Sequence, residues 1–343
     1  MNHRPPSHSF NTVRHSHREE RQQRLQKQRL VALSICIVIV LTLLTLAIFL
    51  FCLIADTVNG GNDTPNIPPQ TGNNPGGTSS GNITFAFITK ENTAVHEGSL
   101  ILVSEKLNTV YQYPKITLKS FADPDIHINQ NGVRPYQCTV LKSNEQMESD
   151  AAYAADRMLT DFYKVFQDSS LIFIDAYRTK EEQSNKQTAV GFSEHETGYV
   201  FTLQSYDANG KRTSLATNAN SLWIYENCAK YGIVCRYPAD KSVTTGIDGY
   251  DHCFRYVGVP HATYMYQNNL CLEEYLAYLQ TNAGVASPLQ ITGADGNAYA
   301  VYYVAKSAGE VTTLQVPGNY AYTVSGDNQG GFIVTVNLNA PVA

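Results

Sequence analysis

Apolar and polar positions divide the 343-residue chain into stretches of different texture. No charged residue falls between Arg29 and Asp56. The 26 residues of 30–55 are enough to cross a hydrocarbon core of ~30 Å with some tilt, so the pattern predicts an uncleaved transmembrane helix there. A cleaved leader would have an apolar core of only ~7–15 residues and a small-x-small exit, whereas this stretch ends in Leu53-Ile54-Ala55-Asp56. Residues 56–81 are Asn, Gly, Pro, Thr and Ser with Asp63 among them, too polar to offset the entropy of ordering, and read as a flexible stalk. Further on, 98–103 is a turn followed by an apolar strand candidate. In 149–166 the residues Ala151, Ala155, Met158, Leu159, Phe162 and Phe166 recur at helical spacing. Ser149 stands as its N-cap and Asp150 in the first turn. Residues 171–174 form a short buried strand, 221–231 a helix carrying the single tryptophan Trp223, 232–238 a strand and 272–279 a last helix. Beyond Gly284 the period changes to two. Turn residues at 293–297 precede alternation at Tyr299, Val301 and Tyr303, and again at Phe332, Val334 and Val336, which predicts a small β module over 284–343.

Charge sharpens this division. Residues 1–29 hold seven Lys/Arg against Glu19 and Glu20, which by the positive-inside bias keeps that tail cytoplasmic and the remainder outside the cell membrane. Without the tail, 18 basic and 28 acidic residues remain, a net of −10, which excludes nucleic acid as a partner of the outer part. Five cysteines lie beyond the apolar stretch: Cys138, Cys228, Cys235, Cys253 and Cys271. An external location permits disulfides, and the odd number leaves at least one thiol unpaired or intermolecular.

Three motifs carry candidate chemistry. Asp175-Ala176-Tyr177-Arg178-Thr179-Lys180-Glu181-Glu182-Gln183 comes first, Ser193-Glu194-His195-Glu196-Thr197-Gly198 second, and Phe254-Arg255-Tyr256-Val257-Gly258 about fifty residues later. Together they resemble the zinc D-Ala-D-Ala carboxypeptidases of the VanY type, which trim peptidoglycan stem peptides, and the resemblance runs from about 95 to 280. It implies an α+β fold with a small central antiparallel sheet flanked by helices. The organisation is then a basic tail over 1–29, an anchor over 30–55, a stalk over 56–81, a carboxypeptidase-like domain over 82–283 and the β module over 284–343. Cys228 and Cys235 replace residues that family members make other than cysteine, which makes them the best disulfide candidates.

The resemblance implies a zinc held by His, Asp and His with a Glu as base. Such a metal needs three protein ligands and an open position for water, which a carboxylate deprotonates as it attacks the peptide carbonyl. In this chain His195 keeps its place, but Thr202 stands at the Asp position, Tyr250 at the Glu position and Cys253 at the second His position. A threonine hydroxyl is neutral, and a tyrosine with an ordinary pKa of ~10 is no base at neutral pH. Cys253 could ligate zinc only as thiolate. A one-residue slip would offer His252 instead, but neighbours on a strand point to opposite faces. The substrate side persists: Arg178, Gln183 and Ser193 are in register, and a guanidinium suits the terminal carboxylate of D-Ala. The expectation is a wall-facing, membrane-anchored protein that binds stem peptides or a wall-synthesis partner with hydrolysis lost. The alternative is an active zinc D,D-carboxypeptidase with a remodelled metal site.

Overall fold

The computed structural model describes residues 83–123, 125, 126, 139, 140, 145–207 and 209–342. The tail, anchor and stalk expected over 1–81 lie outside them, as does Cys138. Among the described residues, no helix is long and apolar enough to cross a membrane. The described residues belong to one compact unit.

In chain order the elements begin with β1 (Phe85–Glu91), β2 (Leu118–Ser120), β3 (Thr139–Val140), β4 (Gln146–Glu148), α1 (Ser149–Phe166), β5 (Leu171–Asp175) and α2 (Lys180–Ser184). There follow β6 (Val200–Tyr206), β7 (Arg212–Thr213), α3 (Leu222–Asn227), β8 (Ile233–Cys235), α4 (Ser242–Thr245), β9 (Cys253–Tyr256), α5 (Val259–Gln267) and α6 (Leu272–Asn282). Strands β10 (Leu289–Thr292), β11 (Ala298–Ala305), β12 (Val311–Pro317), β13 (Tyr320–Gly326) and β14 (Gly331–Pro341) complete the chain.

The sheet that carries the three motifs has the order β3-β5-β6-β9-β8, with β7 also paired to β6. It is antiparallel except for β3 and β5, which run parallel, a departure from the all-antiparallel expectation. Alternation along β6 sorts its side chains. Phe201 and Leu203 join the core under α1, and Val200 joins Tyr237 and Cys253 on the other face. On the first face the rings of Phe121, Phe173, Phe201 and Phe254 form a row with centroids 4.7, 5.1 and 5.6 Å apart. Helix α1 lays Ala151, Ala155, Met158, Leu159 and Phe162 over that row. Its cap differs from expectation: the Glu148 carboxylate, not Ser149, accepts from the backbone N–H groups of Asp150 (2.9 Å) and Ala151 (3.4 Å). A carboxylate satisfies the same orphan donors and also complements the helix dipole.

Other expectations are corrected locally. Residues 100–103 are buried but form no strand, because their backbone partners are a loop and side chains. Leu102 N–H donates to Asp327 O (3.1 Å), and Asn328 Nδ2 donates to Leu102 O (2.7 Å). The expected helix over 221–231 is α3 followed by a 3₁₀ turn, Cys228–Tyr231. Cys228 and Cys235 are free thiols, not a disulfide. Cys228 Sγ faces Tyr225 O at 3.6 Å and Cys235 Sγ faces Asp251 O at 3.1 Å.

The terminal β module gains a strand from the other side of the chain. Strands β10-β11-β14-β13 make one sheet, and β12 pairs with β1 along Phe85↔Pro317 to Glu91↔Val311. Gly326 N–H donates to Glu97 O at 2.7 Å, and a Cβ at Gly326 would lie 2.0 Å from Val95 O, so the backbones meet where only glycine fits. Helices α5 and α6 share one apolar cluster with the module through Met265, Leu276, Leu279, Val301 and Ile333.

Candidate functional site

The three motifs converge because β5, β6 and β9 are neighbours in one sheet. Arg178 leaves the end of β5, and its backbone N–H donates to His195 O at 3.1 Å. His195 sits in the 3₁₀ turn Glu194–Thr197 between β5 and β6. Gly198 ends that turn at φ 78°, and a Cβ there would lie 3.2 Å from both Glu148 N and Ile116 Cδ1, so conformation and space both require glycine. Thr202 on β6 pairs across to Cys253 on β9.

A cleft of about 340 Å³ opens over this meeting point. Arg178, Ser193, His195, Tyr250 and Cys253 line it, joined by Glu194, Asp248 and Lys186. His195 is buried, and its Nδ1 lies 2.7 Å from Ala176 O. A carbonyl only accepts, so Nδ1 carries the proton and Nε2 presents a lone pair. That lone pair is met by two hydroxyls, Tyr250 at 3.1 Å and Thr202 at 3.3 Å, which are 3.2 Å from each other. Thr202 and Tyr250 thus close a hydrogen-bonded triangle on His195.

Electrostatics keep the cluster neutral. Burial, helped by the charge of Arg178, pulls the His195 imidazole down to about 4. Burial pushes the Tyr250 phenol up to about 12 and the Cys253 thiol well above its ordinary value. At neutral pH the cleft floor therefore holds an imidazole, a phenol, a thiol and an alcohol.

These residues do not fit the zinc that the sequence resemblance implies. Three protein donors are needed, and here only His195 and Cys253 are of metal-binding type, the latter held as thiol. Among the described residues no group of three or more His, Cys, Asp or Glu side chains is placed to hold a metal. His252 adds nothing to the cluster's donor set. It lines a separate cleft with Gln204 and Arg212, while Cys253 lines the one holding His195, so β9 runs without the slip that would exchange them.

On the substrate side, Arg178 is largely committed. Its Nε donates to Asp175 Oδ2 at 2.9 Å, Nη2 donates to the same oxygen, and Nη1 donates to Gln183 Oε1 at 3.0 Å. Gln183 is fully buried, its amide bonded to Thr188 O at 2.6 Å; it positions the guanidinium and does not line the cleft. Ser193 lines the cleft, its N–H bonded to the Glu196 carboxylate at 3.4 Å. Lys186 was not legible in the sequence. It lies three residues beyond Gln183 and is the exposed cation at this cleft. The only available signal was that one turn of chain carries it to the same side as Gln183.

Behind the cleft lies a buried ionic network, also absent from the sequence reading. Arg236 Nε contacts Glu194 Oε1 at 3.0 Å, and its two terminal nitrogens donate to the Glu273 carboxylate at 2.9 and 2.7 Å. Arg255 pairs with Glu194 and donates to Ser99 O (2.8 Å) and Ile101 O (3.0 Å). Two arginines and two glutamates thus lock the 3₁₀ turn to the residue after β8, to β9, to α6 and to the 99–101 segment.

The family model of VanY, D-alanyl-D-alanine carboxypeptidase, matches residues 140–259. A D-alanyl-D-alanine carboxypeptidase of Enterococcus faecium is 32% identical over 250 residues, 71% of this chain and 76% of that protein. The chain belongs to the VanY-type D-alanyl-D-alanine carboxypeptidase family. A bifunctional D-Ala-D-Ala dipeptidase and carboxypeptidase of Enterococcus gallinarum, VanXYC, is 26% identical over 185 residues, 52% of this chain and 93% of that protein. Among solved structures, the D,D-dipeptidase VanXYg in complex with a D-Ala-D-Ala phosphinate analogue superposes with a TM-score of 0.61 at 25% identity, covering 74% of this chain and 99% of that one.

Proposed function

We propose that this chain is a membrane-anchored, wall-facing member of the family that binds D-Ala-D-Ala stem peptides, or a wall-synthesis partner, without zinc hydrolysis. One observation carries the reading: the hydroxyls of Thr202 and Tyr250 satisfy His195 Nε2, where the family pattern places an anionic ligand and a base. Among the described residues, the carboxylates lining the cleft are Glu194 and Asp248. Glu194 is held by two arginines, and Asp248 is exposed at the rim. The structural relative bound to a D-Ala-D-Ala phosphinate analogue supports the ligand class.

Binding would then use the cations at the cleft. Asp175 offsets the charge of Arg178, and three of its five N–H groups are committed, so Lys186 supplies the uncompensated positive charge for a terminal carboxylate. The apolar stretch over 30–55 and the basic tail support the anchor and its orientation.

The test is elemental zinc analysis and calorimetry with a D-Ala-D-Ala pentapeptide on full-length protein purified without chelator. The expected result is no bound zinc, no D-Ala release and peptide binding. Lys186→Ala should weaken that binding roughly tenfold, ~1.4 kcal/mol, the low end for a hydrogen bond to a charged group. Stoichiometric zinc with D-Ala release abolished by His195→Ala would instead establish the remodelled enzyme. Protease access to the domain from outside intact cells tests the anchor.

A further inference from the structure

A second cleft of about 480 Å³ lies away from His195, between the motif-bearing sheet and the β module. Tyr199 and Tyr256 line it from adjacent ends of the β6 and β9 strands, where Tyr256 N–H donates to Tyr199 O at 2.9 Å. By strand alternation they point to the face opposite Thr202 and Cys253. Asp150 closes one side from the first turn of α1. Tyr299, Tyr322 and Asn337 close the other from β11, β13 and β14.

We propose that this second cleft is a saccharide-binding site for a neutral chain of β-linked pyranoses. Its volume falls within the ~300–1,000 Å³ of sites that hold drug-sized ligands, the size of a short oligosaccharide. No lysine or arginine lines it, so it has nothing to recognise a phosphate or carboxylate. His261, which also lines it, is fixed between Tyr275 Oη (2.7 Å) and Thr335 Oγ1 (3.0 Å), and burial pulls it down to about 3, so it adds no charge.

The polar groups are those a sugar needs. Among the described residues, the hydroxyls of Tyr199, Tyr256 and Tyr322 and the Asp150 carboxylate form no hydrogen bond within the protein. The Asn337 amide accepts from Asn339 N–H (2.9 Å) and keeps its donors. These groups supply both donors and acceptors for hydroxyls at a protein surface. Tyrosine joins an apolar ring to a polar tip, and pyranoses with equatorial substituents present a flat face of C–H groups that packs on such a ring. Tyr322 is 36% exposed and Tyr256 half-buried, whereas Tyr199 has one face against the Arg255 guanidinium, 5.5 Å from its centroid, and contributes its hydroxyl. Tyrosines around one carboxylate could also cage a quaternary ammonium, but that ligand would leave the hydroxyls and the amide unpaired in a cleft far larger than it needs.

Calorimetry on the full-length chain tests this with the β-linked N-acetylglucosamine tetramer, and with tetramethylammonium as the competing probe. The tetramer is expected to bind, and Tyr322→Ala, at an exposed position, should weaken it roughly tenfold with an unchanged melting temperature. Asn337→Ala should weaken it less, and Lys186→Ala not at all. Absence of tetramer binding overturns the proposal, as does binding unmoved by both cleft variants. Binding lost in Lys186→Ala would place the sugar in the His195 cleft, and tetramethylammonium displacing it at Tyr322 would make the site a cation cage. Either result overturns the proposal too. The inference does not rest on the stem-peptide reading, which has its own probe and its own variant.

Discussion

Glu194 and His195 are neighbours in one 3₁₀ turn, yet the two clusters they face are built on opposite principles. Around Glu194, four charges are taken out of water: Arg236 donates to the carboxylates of Glu194 and Glu273, and Arg255 pairs with Glu194 while donating to the Ser99 and Ile101 carbonyls. At His195 the imidazole and the two hydroxyls that meet it are neutral, and their polarity is satisfied by a closed triangle of weak donors and acceptors. The difference teaches what a buried site must do when its anionic positions are replaced. Losing a carboxylate would strand a buried cation, whereas a neutral imidazole needs only a hydroxyl. The turn can therefore keep the fold's ionic lock intact one residue away from a neutral, hydrogen-bonded cluster.

The comparison breaks most completely if charge is put back. The triple variant Thr202→Asp, Tyr250→Glu, Cys253→His restores the family pattern, and zinc content is expected to rise from none to near stoichiometric by elemental analysis. If it stays metal-free, the surroundings and not the three side chains forbid the metal. On the ionic side, Glu194→Ala leaves two buried arginines short of a partner and should cost about 3–5 kcal/mol in a urea unfolding titration. A loss under about 1 kcal/mol would mean that water or movement rescues the pair.

Acid separates the clusters in another way. Burial holds His195 and His261 neutral, at about 4 and about 3. An unfolded histidine titrates near ~6.5, so between that value and the folded ones the unfolded chain binds more protons, and stability falls as pH falls. From pH 7 to pH 5 each histidine should cost on the order of 2 kcal/mol. Urea midpoints at the two values check this, and His195→Gln should flatten the slope; an unchanged slope would mean the imidazole takes a proton without cost. The smallest effect is expected from Thr202→Val, which keeps shape and deletes one hydroxyl from the neutral triangle. The Tyr250 hydroxyl still meets Nε2, so the loss should be about 1 kcal/mol by the same titration.

Local patterning was a good guide wherever one face of an element is buried by near neighbours. The period of α1 was legible because its apolar residues all meet one sheet, and the alternation at Tyr299 to Tyr303 and Phe332 to Val336 was legible for the same reason. It failed where partners come from far along the chain. Residues 100–103 look like a strand, but their hydrogen bonds go to Asp327 and Asn328. Strand β1 has no signal of its own, since its partner β12 lies over two hundred residues away. The disulfide expected from Cys228 and Cys235 failed because residue type says nothing about where two sulfurs point.

For the site, sequence alone determined which side chains the motifs bring forward, and so which chemistry their functional groups could supply. Identity and spacing suffice for that, because the motifs are short and rigidly placed at strand ends. Only the tertiary structure decided what those side chains do with one another. That Tyr250 and Thr202 turn onto His195, that Asp175 claims Arg178, that Lys186 reaches the cleft and that Arg236 and Arg255 share Glu194 are all facts of distance between separate elements. A hydrogen bond depends on a few tenths of an ångström and on direction, and neither is written in the order of residues until the sheet brings the strands together.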